Sequence, residues 1–456
     1  MPTISEIQNS INNSTSSCSW FCLLQTTAEI KANVVHRQNF VATVNDLPSL
    51  CTFAADSGMI VFVDELRTPV YHANNSWITL DGCCVVRRDF IPQEIWTWGS
   101  NECGQLGIGT VGGAARGCPL QEACNDGFWS TVASGDRHVI ALKRNGTLWG
   151  WGDNSNGQHG TGTTTVSCLP VQERCLATNW CRISAGSSTT AAIKTDGTLW
   201  AWGNSTILGM YTSSCSPIQE RSSSSDWSTF CAQSGGVGLK TNGTIWGWGF
   251  NNTGRLGTGN TTNSCSPVQE ICSATNWCRV SIRYNSTGAI KTDGTLWTWG
   301  YNGTAQLGTG NFTSSCSPIQ EFCSATNWCQ VSMGTCHSAA IKTNGTLWSW
   351  GSQYEGRLAN NINTNNTFSC SPVQEICSAT NWCLAVAGDR NGQGLKTDGT
   401  LWSWGRNFNC QIGDGSFSFS GCPLPKQEFF KRTCWCTTDI GAYFCSSAAA
   451  MTVSSS

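Results

Sequence analysis

A tetrapeptide of the form Trp-x-Trp-Gly recurs seven times in this chain, at intervals of 46 to 54 residues. A second landmark, usually Asn-Trp, adds a third tryptophan to each unit, so the repeat accounts for 21 of the 23 tryptophans. The copies of the tetrapeptide begin at Trp96, Trp149, Trp200, Trp246, Trp297, Trp348 and Trp402. A period near 50 residues that is filled with short strands is typical of propeller blades and not of helical solenoids.

Each unit is predicted to form four short strands. In the unit that begins at Trp277, Asp293-Gly294 supplies the positive φ angles of a type I′ turn between the second and third strands. Trp297 and Trp299 point to the same face of the third strand, and the residue between them is small in every copy. Large side chains on one face and small ones on the other predict sheets that stack face to face around tryptophan.

The two ends of the repeat region predict how the ring closes. Six units carry the hairpin turn, whereas the last one lacks it, and the first unit opens with an unmatched third strand at Ile95–Gly99. If this strand completes the last blade, no open sheet edge remains. The predicted fold class is therefore all-β, a seven-bladed β-propeller over residues 91–456 that is closed by an N-terminal strand completing the C-terminal blade. A small α+β module precedes it, with a helical segment at residues 1–40 and a small β module for attachment at residues 41–90.

The repeat resembles that of the regulator of chromosome condensation family. The resemblance lies in Trp299-Gly300-Tyr301-Asn302-Gly303 leading to Gln306-Leu307-Gly308-Thr309-Gly310, and in Ala339-Ala340-Ile341-Lys342. It implies a seven-bladed propeller, and the founding member is a nucleotide exchange factor on chromatin. With 26 basic and 28 acidic residues, this chain lacks the positive charge that binding to nucleic acid requires. We therefore carry over the fold and not the activity, and expect no nucleic-acid partner.

The first ninety residues resemble the leading module of virion and tail-fibre proteins of marine tailed phages. The matching features are Asn45-Asp46-Leu47-Pro48, Val61-Phe62-Val63 and Ser76-Trp77-Ile78-Thr79-Leu80-Asp81-Gly82. Such modules often precede variable C-terminal domains. The resemblance implies contact with other virion proteins through residues 1–90, assembly in the host cytoplasm and location on the virion.

Most of the 28 cysteines follow the repeat. One cysteine follows Gln-Glu-x and another follows Asn-Trp, and units that hold the first usually hold the second. This co-occurrence predicts disulfides within one short loop, whereas the alternative is a set of small thiols that fill the blade layers. The four predicted pairs are Cys175 with Cys181, Cys272 with Cys278, Cys323 with Cys329 and Cys377 with Cys383.

Motifs for catalysis, cofactors and metals are missing from the sequence. It has no Gly-x-Ser-x-Gly elbow, no phosphate-binding Gly-Lys-Ser/Thr and no recurring Cys-x-x-Cys at zinc spacing. We therefore expect a protein that is not an enzyme and has no cofactor and no metal. No stretch approaches the roughly 18 apolar residues of a membrane span.

Variation between units is concentrated in loops, where binding residues gather on a rigid scaffold. The candidate binding residues are Arg283, Tyr284, Tyr301, Phe312, Tyr354, Asp389 and Arg390. The preferred function is a virion structural protein, a decoration or host-receptor-binding propeller that contacts a host surface protein or glycan and forms a homo-oligomer. The alternative is a soluble protein-binding propeller that inhibits or regulates a partner, and a third hypothesis is an enzyme such as a lyase or hydrolase.

Overall fold

The computed structural model describes residues 93–124, 128–204, 213–232, 235–433, 435–440 and 446–452, together with five short strands between residues 40 and 85. The chain divides into two compact units, Met1–Pro92 with Val453–Ser456, and Gln93–Thr452. Within the described part of the chain there is no α-helix, and one 3₁₀ turn lies at Tyr354–Gly356. None of its helical elements is long and apolar enough to cross a membrane.

The first unit contains one five-stranded sheet. Its strands are β1 (Phe40–Val41), β2 (Ile60–Val63), β3 (Thr68–Ala73), β4 (Ser76–Thr79) and β5 (Cys84–Val85), in the order β1-β2-β3-β4-β5. The β1–β2 pair is parallel and the other pairs are antiparallel. The helices predicted within residues 1–40 lie outside the described residues.

The second unit is an all-β propeller. Six of its four-stranded sheets, blades 1 to 6, follow one another along the chain, and each is an antiparallel run of consecutive strands. The strands are β8 (Trp129–Ser134), β9 (His138–Lys143), β10 (Leu148–Gly152) and β11 (Ser167–Gln172) in blade 1; β12 (Trp180–Ala185), β13 (Thr189–Lys194), β14 (Leu199–Gly203) and β15 (Ser214–Gln219) in blade 2; β16 (Trp227–Ala232), β17 (Gly235–Lys240), β18 (Ile245–Gly249) and β19 (Ser264–Gln269) in blade 3; β20 (Trp277–Arg283), β21 (Ser286–Lys291), β22 (Leu296–Gly300) and β23 (Ser315–Gln320) in blade 4; β24 (Trp328–Met333), β25 (His337–Lys342), β26 (Leu347–Ser352) and β27 (Phe368–Gln374) in blade 5; β28 (Trp382–Ala387), β29 (Asn391–Lys396), β30 (Leu401–Asn407) and β31 (Ser418–Gln427) in blade 6. The first strands of neighbouring blades pack beside one another, so they lie innermost and the fourth strands lie outermost.

A further four-stranded sheet, the composite sheet, joins the two ends of this unit. It contains β32 (Trp435–Ile440), β33 (Ser446–Thr452), β6 (Gln93–Gly99) and β7 (Arg116–Gln121), in the order β32-β33-β6-β7. Ala449 pairs with Trp96 and Ala448 with Thr97. The predicted pairing of the N-terminal strand with the C-terminal segment is confirmed, and it removes the two strand edges that an open ring would leave.

The core lies between blades and is made largely of tryptophan. In each copy of Trp-x-Trp the second ring is fully buried, as Trp299 and Trp350 are, whereas the first ring is half-buried. The indole of Trp350 donates a hydrogen bond to the carbonyl of Gln306 in the preceding blade, over a distance of 2.8 Å. A Cβ at Gly308 would lie 2.8 Å from the Trp350 indole nitrogen, so only glycine fits there. The glycine-rich connection of one blade therefore packs against the buried tryptophan ring of the next blade.

The two ends of the propeller differ in which connections they carry. The hairpin end carries the Asn-Gly and Asp-Gly turns between second and third strands. The loop end carries the first-to-second strand loops and the glycine-rich connections between third and fourth strands. In blades 1, 2, 4, 5 and 6 a backbone hydrogen bond joins the glycine-rich connection to the first-to-second strand loop, for example from Tyr301 to Asn285 and from Arg406 to Arg390.

Candidate functional site

The innermost part of the loop end holds a polar bridge across the ring. The Tyr284 hydroxyl of blade 4 donates to Asp136 Oδ2 of blade 1 at 3.3 Å and accepts from Ser187 Oγ of blade 2 at 3.5 Å. Because blade 4 borders neither blade 1 nor blade 2, this contact spans the central opening. Tyr284 has a φ of 43°, a strained value for an aromatic residue, so the surrounding loops must impose it.

Arg283 accompanies this bridge and is only 6 % exposed. Burial raises the pKa of Asp136, and the positive charge of Arg283 and the hydroxyls of Tyr284 and Ser187 act in the opposite direction. Asp389 adds a further negative charge to this environment. The predicted site residues Arg283, Tyr284 and Asp389 are thus brought together, and Arg283 lies inside the cluster instead of on the surface.

A second cluster is built around Glu355, a buried carboxylate in the 3₁₀ turn. Three guanidinium groups surround it, with Arg357 at 3.3 Å, Arg390 at 3.8 Å and Arg406 at 3.8 Å. Arg390 also pairs with Asp389 at 3.5 Å, and its side chain keeps 43 % of its surface exposed. The cluster therefore holds Arg390 in place while leaving much of it open to a partner.

The Cys336 thiol and the His337 imidazole lie next to these clusters. Burial lowers the pKa of His337 well below its usual range, and the charges of Arg357 and Arg283 lower it further. Burial raises the pKa of the Cys336 thiol. At neutral pH the imidazole is uncharged and the thiol keeps its proton. Among the described residues, no group of three His, Cys, Asp or Glu side chains is arranged to hold a metal ion.

Three other predicted site residues lie in the glycine-rich connections. Tyr301, Phe312 and Tyr354 are all exposed. The Phe312 ring packs edge-on against Phe368 at 5.7 Å, and the guanidinium of Arg357 lies 5.7 Å from the Tyr354 ring. Tyr301 and Phe312 sit on the connection of blade 4, whereas Tyr354 sits on the connection of blade 5 beside the Glu355 cluster.

Sequence reasoning missed one aromatic group at the loop end. Phe408, Phe417 and Phe419 of blade 6 are exposed and contact one another, and Arg406 lies over the Phe408 ring at 5.2 Å. It also missed Glu355. The signal for the phenylalanines was available, because no other unit has three phenylalanines between its Trp-x-Trp-Gly and the proline of its fourth strand.

The four predicted disulfides are not formed, and this corrects the prediction from cysteine spacing. The loop that was expected to be closed by a disulfide is closed by a glutamate. The Glu321 carboxylate accepts hydrogen bonds from the Cys323 backbone at 2.6 Å, the Ala325 backbone at 2.7 Å and the Trp328 indole at 3.2 Å. The second thiol, that of Cys329, instead donates across the blade to the carbonyl of Ile341. The eight residues Cys175, Cys181, Cys272, Cys278, Cys323, Cys329, Cys377 and Cys383 are thiols.

Comparisons with known proteins agree with the propeller architecture. A family model described as RCC1-like domain matches residues 94–446. The crystal structure of Prp20p from Saccharomyces cerevisiae matches with a TM-score of 0.70 at 17 % identity, covering 80 % of this chain and 92 % of that one. At this identity the structural match shows a shared fold.

Two curated relatives are similar in sequence. The ultraviolet-B receptor UVR8 of Arabidopsis thaliana is 29 % identical over 276 residues, which cover 58 % of this chain and 62 % of the receptor. The regulator of chromosome condensation of Xenopus laevis is 24 % identical over 352 residues, covering 71 % of this chain and 81 % of the relative. These relatives are not virion proteins, and they favour the alternative prediction, a protein-binding propeller, over the virion role.

Proposed function

Because this chain belongs to the family of RCC1-like domains, we propose that it is a regulatory protein-binding propeller that holds its partner at the loop end. Relatives support a binding role. The structure of Prp20p is described together with its binding to Gsp1p and histones, and a second structure has Kap60 bound to the same yeast protein. We infer the position of the binding site from this chain's own loops.

One observation carries the proposal. The side chains that break the repeat are concentrated at the loop end, on short connections that backbone hydrogen bonds fix to the blades. Arg390 is anchored by Glu355 and Asp389 yet remains 43 % exposed, and Tyr301 and Tyr354 are exposed on neighbouring connections. Arginine and aromatic side chains that are held in place before binding are the usual centres of protein interfaces, because little conformational entropy is lost when they bind.

The test compares two matched double variants of the full chain. The loop-end variant combines Tyr301→Ser with Arg390→Gln. The hairpin-end variant combines Phe128→Ser with Arg144→Gln, which also removes one exposed aromatic ring and one exposed arginine. Each protein is immobilised and exposed to a lysate of the cells that produce it, and retained proteins are quantified by mass spectrometry.

We expect a retained protein whose recovery falls at least about tenfold with the loop-end variant and is unchanged with the hairpin-end variant. Equal melting temperatures of the three proteins establish that both variants fold. Recovery that is the same for all three, or that falls only with the hairpin-end variant, contradicts the proposal.

A further inference from the structure

The loop end of blade 6 presents a small apolar surface. We define the phenylalanine patch as Phe408, Phe417 and Phe419. Their ring centroids lie 4.7 to 5.9 Å apart, and Phe419 is 73 % exposed. Three phenylalanine rings in mutual contact at the surface leave apolar area in water that the fold itself does not bury.

The fold does not require these rings. In blade 6 the Asn407 side chain closes the connection by donating to the carbonyl of Ser416, nine residues later. The equivalent asparagines, Asn101 and Asn302, close their connections with the same nine-residue hydrogen bond. At the position after this asparagine, Phe408 corresponds to a glutamate and a glycine in those two connections. The connection therefore forms in those two sheets without the phenylalanine that corresponds to Phe408.

Positive charge borders the patch on its inner side. Arg406 lies over the Phe408 ring, and both Arg406 and Arg390 approach the same oxygen of Glu355. Around Glu355 three arginines face two carboxylates, those of Glu355 and Asp389. Both carboxylates are largely covered, whereas Arg390 is exposed, so the surface beside the patch attracts negative charge.

We propose that the phenylalanine patch and Arg390 together bind a short acidic segment of the partner protein that carries an apolar side chain. The apolar side chain packs on Phe417 and Phe419, and a carboxylate of the segment pairs with Arg390. This inference rests on the proposed function and specifies which chemistry the partner offers. A second copy of this chain is the competing occupant, and the test distinguishes the two.

The experiment selects peptides from a random displayed library on the immobilised full chain and sequences the population that remains bound. Enrichment of Asp or Glu beside a large apolar residue is the expected result. A selected peptide is then labelled, and its dissociation constant is measured by fluorescence anisotropy. A matched peptide with Asn and Gln in place of Asp and Glu serves as the charge control.

Two variants and one control locate the binding site. The double substitution Phe417→Ser with Phe419→Ser is expected to weaken binding at least about tenfold, and Arg390→Gln about threefold with a weaker dependence on salt. Phe128→Ser, an equally exposed phenylalanine at the hairpin end, leaves binding unchanged.

Three results overturn the inference. They are a bound population without acidic enrichment, equal affinity for the uncharged peptide, and a concentration-dependent dimer in sedimentation that the Phe417 and Phe419 substitutions abolish. The proposed function is judged separately, because a lysate partner that depends on Tyr301 and Arg390 supports it even when the peptide selection fails.

Discussion

The hairpin end and the loop end of the propeller are built from the same strands, yet they use their side chains in opposite ways. At the hairpin end the same contacts recur from blade to blade. In blade 5, Asn344 accepts from Thr346 at 2.7 Å, Thr346 accepts from the Trp348 indole at 2.9 Å, and Lys342 lies 4.2 Å from the Trp348 ring centroid. At the loop end, backbone hydrogen bonds and a recurring asparagine side chain fix the connections, whereas the exposed side chains differ from blade to blade. We therefore expect the repeated hairpin end to stabilise the fold, and the variable loop end to hold the proposed binding surface.

The repeated glutamate is expected to give the largest effect on stability. Glu321 is buried and accepts from two backbone N–H groups and the Trp328 indole. Glu321→Ala leaves these donors without acceptors and should lower the free energy of unfolding by about 3–5 kcal/mol, measured by denaturant titration. Glu102→Ala, at an exposed loop-end position, is the control and should be nearly neutral. Glu321 lies at the hairpin end, in the connection between β23 and β24. A loss of stability as small as that of Glu102→Ala would contradict the expectation that the recurring contacts of this end stabilise the fold.

The lysine of the hairpin end is expected to contribute less. Lys342 lies over the rings of both Trp328 and Trp348. Lys342→Leu keeps the apolar contact but removes the cation, so the free energy of unfolding should fall by about 1–2 kcal/mol. Lys342→Arg retains a cation over the rings and should stay closer to the parent protein. Equal losses in the free energy of unfolding for Lys342→Leu and Lys342→Arg would contradict a stabilising contribution from the cation.

The polar bridge of the loop end predicts a pH effect. Burial raises the pKa of folded Asp136 above its ordinary value of 3.8, so the folded protein binds this proton more tightly than the unfolded chain. The contribution of Asp136 to the free energy of unfolding therefore falls as the pH rises from 3.8 through the folded-state pKa, and is constant above it. Asp136→Asn should remove this decline in unfolding titrations across that range. An unchanged pH profile would show that the carboxylate is solvated.

A companion variant moves the same titration in a known direction. The Tyr284 hydroxyl bonds to Asp136 and lowers the pKa of that carboxyl. Tyr284→Phe should therefore extend the decline to higher pH, with a loss of about 1 kcal/mol for the hydrogen bond. A profile identical to that of the parent protein would mean that the bridge across the ring does not form in solution.

The smallest effect on stability is expected from the phenylalanine patch. Phe419→Ser exchanges an exposed ring for a polar side chain and should change the free energy of unfolding by less than about 0.5 kcal/mol. A loss of several times that value would place the patch among the residues that stabilise the fold.

The sequence was sufficient for the all-β propeller and for the order of its strands because a propeller reuses local signals. Trp-x-Trp with a small middle residue and the Asn-Gly or Asp-Gly turn determine strand faces and hairpins within a single unit. The unmatched strand at Ile95 and the alanine run that pairs with it determined the closure. These signals do not depend on contacts between distant blades.

The glutamate that closes each loop could have been found from the same repeat. The unit of Glu220 lacks both cysteines and has Ser222 in place of the first, yet Ser222 still donates its backbone N–H to Glu220 at 2.7 Å. The glutamate is therefore the constant feature, whereas the cysteines vary. The spacing of two thiols alone did not show where each sulfur points.

The clusters of the loop end could not be predicted from the repeat. Tyr284 contacts Asp136 across the ring, and Arg390 contacts Glu355 of the neighbouring blade. Glu355 lies in a 3₁₀ turn that, among the described residues, is found in that connection alone. A repeat reports what neighbouring units share, whereas these contacts join residues in which the units differ. For the same reason Arg283 was expected at the surface and is buried.

The composite sheet makes the order of synthesis matter. Strand β6 leaves the ribosome among the first parts of the propeller, but its partner β33 follows only after all six blades of consecutive strands have been made. Until Thr452 has been translated, the growing chain carries a strand with one bare edge and a stack of blades with two uncovered faces. Nascent chains of this protein should therefore be good clients for chaperones that bind exposed strands, and a ribosome that stalls before β33 would release a ring that cannot close.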